Sequence, residues 1–335
     1  MQEPKPFSKG ARVLFIGDSI TCNGTFMAHI QEYYRSHFPE DKVKCFNAGV
    51  SGGTVGTSAL RYLEKDLADF SPTHAVITLG VNDVGYGGEN LYGDEHKTRE
   101  RAKTNEIYFQ GMERLADTLT DRGISLTFCT PTPVDGGRAP DAPGTKRVMA
   151  ALSGYACFCR GLAMKYGAGV VDFHTAMMHF SLEMQKEDPH FTLYWDDRVH
   201  PTPELGHVVM ALTFLRAQGF ADIPEPTPEA YRRGEFQLTL SEANEERRRI
   251  ENMTRFVRCA DYLIVGDLWQ APFEERMEPI RAFLKKVEAG EPHNAYIANL
   301  AREYGSFAPK EEELLARLRV LTDALYEKRH DGRHR

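Results

Sequence analysis

Apolar positions along the first two-thirds of the chain switch repeatedly between two patterns. Short runs rich in Val, Ile, Leu and Phe predict buried strands over 12–17, 42–47, 74–79, 124–130 and 169–173. Between them the spacing lengthens to that of a helix. Phe26, Ile30 and Tyr33 share one face, as do Leu60, Leu63, Leu67 and Phe70, then Tyr108, Met112, Leu115 and Leu119, then Met149, Ala156, Cys159 and Leu162. Gly123 and Gly167 follow the last two stretches, where a left-handed cap is expected. Strand and helix alternating in this way imply right-handed crossovers and a parallel sheet covered on both faces. Five such strands predict a flavodoxin-like three-layer α/β/α sandwich, whose ligands bind beyond the carboxyl ends of the strands.

From Ile223 the pattern changes. Pro224-Glu225-Pro226-Thr227-Pro228 reads as a stiff linker, and the charged remainder predicts helices over 242–264, 273–289, 294–303 and 310–328. The expected division is an α/β domain over 1–222 and a helical region over 223–335, with subdomain, lid and dimerisation element all open as its role. Leu314, Leu318, Leu321 and Leu325 form a stripe too short for a coiled coil, which needs about three to four heptads, so packing on its own domain or a neighbour is expected.

Composition narrows the class. Over 335 residues, 41% hydrophobic and 27% charged content is ordinary for a soluble globular protein, and a net charge of −7 argues against a dedicated nucleic-acid binder. No apolar run approaches the ~20 residues of a spanning helix, so no membrane partner is expected. Residues 1–6 carry no apolar stretch with a small-residue cleavage site, and the six cysteines are scattered rather than framed for disulfides. Reduced thiols in the cytoplasm are the expectation. Cys157 and Cys159 lack the spacing of a zinc or redox pair, and His174 and His179 are too far round a helix to share a metal easily, so no metal site is expected.

The loops at the predicted carboxyl edge hold the chemistry. Strand one runs into Gly17-Asp18-Ser19 and strand two into Asn47-Ala48-Gly49-Val50-Ser51-Gly52-Gly53-Thr54. Strand three runs into Gly80-Val81-Asn82-Asp83, and strand four into a Gly/Pro-rich loop reaching Thr145. Further on, Tyr194-Trp195-Asp196-Asp197-Arg198-Val199-His200-Pro201 precedes a helix expected to start at Thr202-Pro203. The three-residue gap lets the Asp197 carboxylate reach the His200 imidazole and hold its tautomer.

Gly17-Asp18-Ser19, Gly52, Gly80-Val81-Asn82-Asp83 and Asp197-Arg198-Val199-His200-Pro201 resemble, in order, the four signature blocks of the SGNH (GDSL-type) hydrolases, over roughly residues 10 to 220. The resemblance implies Ser19 as nucleophile, His200 as general base and acid, and Asp197 as orienting carboxylate. It also implies an oxyanion hole from the backbone N–H groups of Ser19 and Gly52 and the side-chain amide of Asn82. The physics agrees, because a hydroxyl needs a base within reach and a tetrahedral intermediate needs fixed donors. Gly53 departs from members that carry Asp there, and implies a more flexible loop.

One rival stands. Gly49-Val50-Ser51-Gly52-Gly53 matches the G-x-S-x-G elbow, with Ser51 as nucleophile, but helical spacing resumes only near Thr57, too late for that turn. Asp18 and Asp83 read as turn acceptors, and Asp196 is a worse-spaced rival of Asp197. Gly85-Tyr86-Gly87-Gly88 reads as a flexible loop near the site. Asp18, Tyr86, Tyr194 and Trp195 are the residues expected to line the substrate, with Tyr194 and Trp195 as a sugar-stacking wall. His207 and Trp269 are expected in packing roles.

These readings predict a serine ester hydrolase working through an acyl-enzyme with neither cofactor nor metal. The resemblance spans carbohydrate deacetylases, lysophospholipases, thioesterases and broad esterases. With no long apolar lid and with polar loops over 85–93 and 135–146, a short-acyl esterase on acetylated sugars or oligosaccharides is the first expectation. A lipolytic esterase or thioesterase, an acyltransferase on the same fold, and a scaffold are the alternatives. A homodimer through the C-terminal helices is the expected protein partner.

Overall fold

The computed structural model describes residues 3–85, 97–135 and 145–327. Five strands form one all-parallel sheet, β1 (Arg12–Gly17), β2 (Lys44–Gly49), β3 (His74–Thr78), β4 (Ser125–Cys129) and β5 (Gly169–Val171), in the order β2-β1-β3-β4-β5. This is the flavodoxin-like arrangement the patterning predicts. The second strand lies two residues later than its apolar run, because pairing rather than hydropathy sets its ends: Arg12 faces Lys44 and Gly17 faces Gly49.

The helices of the first part are α1 (Ser19–Asn23), α2 (Thr25–His37), α3 (Leu60–Phe70), α4 (Thr98–Thr120), α5 (Thr145–Lys165), α6 (Phe173–Gln185) and α7 (Gly206–Ala217). Alternate side chains of a strand reach opposite faces, and both faces are covered. On one, Phe15 of β1 meets Phe26 of α2 and Phe214 of α7, with ring centroids 5.8 and 6.0 Å away. On the other, Phe46 of β2 stacks on Phe70 of α3 at 4.7 Å, and Tyr108 of α4 stacks on Tyr155 of α5 at 3.9 Å. The last of these helices begins at Gly206, not at Thr202. The Thr202 N–H is held by the Leu193 carbonyl and its hydroxyl accepts from the Gly206 N–H, so Thr202 stays in the preceding loop.

Then follow α8 (Pro228–Arg232), α9 (Glu242–Ala260), α10 (Phe273–Glu288), α11 (Ala295–Phe307) and α12 (Glu311–Ala324). The helix expected over 242–264 leaves its α path after Ala260 for a π-helical turn, Asp261–Val265. Ile250 of α9 and Leu315 and Leu318 of α12 belong to the same apolar core as the sheet, and Leu318 is fully buried. The leucine stripe is therefore covered within this chain. A second core gathers Val257, Ile280, Leu300 and Tyr304 of the C-terminal helices around Val50 and Tyr62.

The α9 helix also covers the outer edge of β2. Glu251 accepts the Asn47 N–H at 3.0 Å, Arg247 donates to the Cys45 carbonyl at 3.2 Å, and Gln31 of α2 accepts the Cys45 N–H at 2.7 Å. Side chains thus take the place of a sixth strand along this edge. Among the described residues no helix is long and apolar enough to cross a membrane.

Candidate active site

The β1 strand ends at Gly17, where a Cβ would lie 2.0 Å from the Thr21 hydroxyl and 2.7 Å from the Thr78 carbonyl. Only a glycine lets α1 fold back this tightly. Asp18 caps that helix, its carboxylate accepting the Ile20 N–H at 2.9 Å, and Ser19 is the first helical residue. Asp18 is 2% exposed, so it is a buried cap and not the substrate-lining residue expected.

The opposite side of the site is a short loop closed on itself. Tyr194 and Pro201 form an antiparallel bridge, the Trp195 N–H donates to the His200 carbonyl at 2.9 Å, and Arg198 takes a left-handed φ of 63° at the tip. One Asp197 oxygen accepts the N–H groups of Val199 and His200, each at 2.9 Å, and the other lies 2.6 Å from His200 Nδ1. Burial pushes the Asp197 carboxyl up, but these backbone donors and the His200 ring outweigh it and hold it below the ordinary carboxylate value. His200 Nε2 lies 2.8 Å from Ser19 Oγ. With Nδ1–H directed at the carboxylate, Nε2 presents its lone pair to the hydroxyl, an arrangement that can withdraw a proton as the oxygen forms a bond.

Asn82 and Gly52 stand on neighbouring loops, where the Asn82 amide donates to the Gly53 carbonyl at 3.1 Å. Gly53 is not a point of flexibility. A Cβ there would meet Ser58 Oγ at 2.3 Å and the Val50 carbonyl at 2.8 Å, so the glycine is a close-packing residue. Among the described residues no imidazole bonds to Ser51; its hydroxyl lies 2.9 Å from that of Tyr296. The elbow reading therefore lacks its base.

Tyr194 is 2% exposed and Trp195 51% exposed, so only the indole offers a ring to solvent and the expected two-residue wall is corrected to one. Tyr86 lies outside the described residues, as do most of the loops over 85–93 and 135–146. His207 is buried and stacked on Phe26, and Trp269 packs against Tyr62. Sequence reasoning missed Cys259, Tyr262, Leu263 and Tyr296, which come to the Ser51–Gly52 turn from the C-terminal helices. No motif marks them. The one local signal is the apolar run 262–265, which breaks the charged spacing before it.

Two buried carboxyls support these loops. Asp83 accepts the Val55 N–H at 2.9 Å while its second oxygen has no partner among the described residues. Burial, with the Asp18 charge nearby, raises its pKa to about 7, and burial raises Asp18 to about 6. Both titrate higher in the folded than in the unfolded chain, so folding takes up protons above the ordinary carboxylate range. Stability from this source is fully present below about pH 4 and is lost as pH rises through about 7. Asp83→Asn removes the titration and is expected to flatten that decline by on the order of a few kcal/mol. Urea midpoints of both proteins at pH 5 and pH 8 measure it, and parallel slopes would mean that Asp83 does not take up a proton on folding.

Among the described residues no group of three metal-ligating side chains converges. The model of the GDSL-like lipase/acylhydrolase family matches residues 15–207. An acetylxylan esterase of Geobacillus stearothermophilus is 27% identical over 233 residues, which cover 63% of this chain and 95% of that one. Among solved structures, a gut microbial diltiazem-metabolizing enzyme superposes with a TM-score of 0.73 at 20% identity, over 97% of this chain and 96% of its own. A crystal structure of a G. stearothermophilus acetylxylan esterase gives 0.51 at 24% identity, over 66% of this chain and 97% of its own. At these identities the structural likenesses are likenesses of fold, and the first extends through the C-terminal helices.

Proposed function

We propose, starting from a chain that belongs to the GDSL-like lipase/acylhydrolase family and is a carboxylic ester hydrolase, that Ser19 is its nucleophile and acetylated carbohydrate its substrate. The observation that carries the first part is the continuous hydrogen-bonded chain from Ser19 Oγ through His200 to Asp197. In this reading His200 Nε2 takes the Ser19 proton as Oγ attacks the ester carbonyl, and Asp197 stabilises the imidazolium. The same Nε2–H then protonates the leaving alcohol. Water enters and gives a proton to His200 as its oxygen attacks the acyl carbon, and His200 returns that proton to Ser19 Oγ as the acyl–Oγ bond breaks and the acid leaves.

Negative charge on the former carbonyl oxygen needs donors already in place. The backbone N–H groups of Ser19 and Gly52 and the Asn82 side chain are assigned that role. An amide nitrogen carries two N–H groups, so Asn82 can keep its bond to Gly53 and offer the second to the oxyanion.

The carbohydrate part rests on the acetylxylan esterase, which this chain matches over nearly all of that enzyme's length, and on the half-exposed Trp195 beside His200, a face on which a sugar ring can stack. Initial rates on acetylated xylooligosaccharides and on p-nitrophenyl esters from acetyl to octanoyl test it. Release of acetate from the oligosaccharides, with kcat/KM falling as the acyl chain lengthens, is expected. Strong turnover of octanoyl esters with no deacetylation of any sugar would place the enzyme on the lipolytic side.

A further inference from the structure

The turn that carries the Gly52 N–H is held from a part of the chain that the family model does not reach. Residues 50–53 form a turn closed by the Gly53 N–H to the Val50 carbonyl at 2.9 Å, with Gly52 at a left-handed φ of 73°. Three of its groups are taken by C-terminal side chains. The Ser51 N–H donates to Cys259 Sγ at 3.3 Å, near the end of α9. The Ser51 hydroxyl lies 2.9 Å from the Tyr296 hydroxyl of α11. The Tyr262 hydroxyl donates to the Gly52 carbonyl at 3.4 Å and lies 2.6 Å from that of Thr57. Leu263 closes over the turn, its Cδ2 3.4 Å from the point where a Gly52 Cβ would stand.

The Ser51–Gly52 peptide is thus fixed on both sides, through the amide and hydroxyl of Ser51 and the carbonyl of Gly52. Gly52, at a left-handed φ and without a Cβ to restrict it, has wide conformational freedom of its own, and an oxyanion donor works only if its direction is set before the charge appears. The π-helical turn Asp261–Val265 is what places Tyr262 and Leu263 here, because it carries the backbone off the α-helical path directly after Cys259 and Ala260.

We propose that the C-terminal helices are part of the catalytic apparatus: Tyr296, Tyr262 and Cys259 are positioning residues that hold the Ser51–Gly52 peptide for its service to the oxyanion. This rests on the reading above that Gly52 is an oxyanion donor. The helices then brace the chemistry as well as covering the sheet edge, and the positioning acts on the transition state rather than on substrate binding.

The test uses the full-length chain carrying Tyr296→Phe, Tyr262→Phe, Ser51→Ala and the double variant Ser51→Ala/Tyr296→Phe, with p-nitrophenyl acetate and with a fluorophosphonate that labels the active serine. Outright loss of an oxyanion donor costs about 10²–10³ in rate, so loosening one is expected to lower kcat about tenfold with KM changed by less than about twofold. Labelling of Ser19 slows in parallel, because its tetrahedral adduct needs the same donors. The double variant is expected to be no worse than either single change, since both remove one bond. Wild-type kcat in all three single variants overturns the proposal, and so does a double variant whose loss is the product of the two. If the wild type hydrolyses no ester and Ser19 takes no label, it is the esterase reading itself that fails.

Discussion

Ser19→Ala is expected to lower kcat by roughly 10⁴–10⁶, leaving only what binding and the oxyanion donors provide unaided. The fold should not notice. The Ser19 hydroxyl has one hydrogen-bond partner among the described residues, the His200 ring, and the carboxylate that caps α1 belongs to Asp18. Fluorophosphonate labelling followed by peptide mapping gives the same answer by a second route, because the tag should sit on Ser19 and vanish in the variant. Ser51→Ala, in contrast, should slow the reaction and keep the tag on Ser19. Full activity in Ser19→Ala would remove the mechanism.

Glu251→Ala is expected to be the most damaging single change to stability, at about 3–5 kcal/mol. Arg247 and Glu251 form a pair with side chains 0% and 1% exposed, and Glu251 also accepts the Asn47 N–H of the edge strand. Alanine removes the counter-charge and strands a buried guanidinium together with a buried backbone donor. A loss of that size is a large part of the ~5–15 kcal/mol that holds a typical domain together. Glu251→Gln keeps an acceptor for Asn47 and should cost less. Exposed pairs such as Arg281–Glu274, with side chains 55% and 76% exposed, should contribute less than about 1 kcal/mol by comparison. Urea titration of Glu251→Ala, Glu251→Gln and Glu274→Ala ranks them, and a Glu251→Ala cost below about 1 kcal/mol would mean that α9 does not secure the edge as described.

What the sequence determined by itself was whatever depends on neighbours close along the chain. The apolar runs marked all five strands, helical spacing marked the crossovers, and the order of the two implied the parallel sheet, because a right-handed crossover leaves few other solutions. The Asp197–His200 contact was legible too, since three residues of separation place the carboxylate on the imidazole, and the structure has it there at 2.6 Å. Tertiary structure decided the rest. Whether Tyr194 or Trp195 meets solvent depends on what packs above the loop, and alternation along a short loop does not report that. Arg247 and Glu251 sit in Glu245-Glu246-Arg247-Arg248-Arg249-Ile250-Glu251, a run that reads as a solvated helix face. They are buried because the edge of β2, some two hundred residues earlier in the chain, offers the N–H and carbonyl groups that charged side chains can satisfy. Tyr262 and Tyr296 are the same case: a hydroxyl shows no preference for a distant partner until the fold brings the Ser51–Gly52 turn within reach.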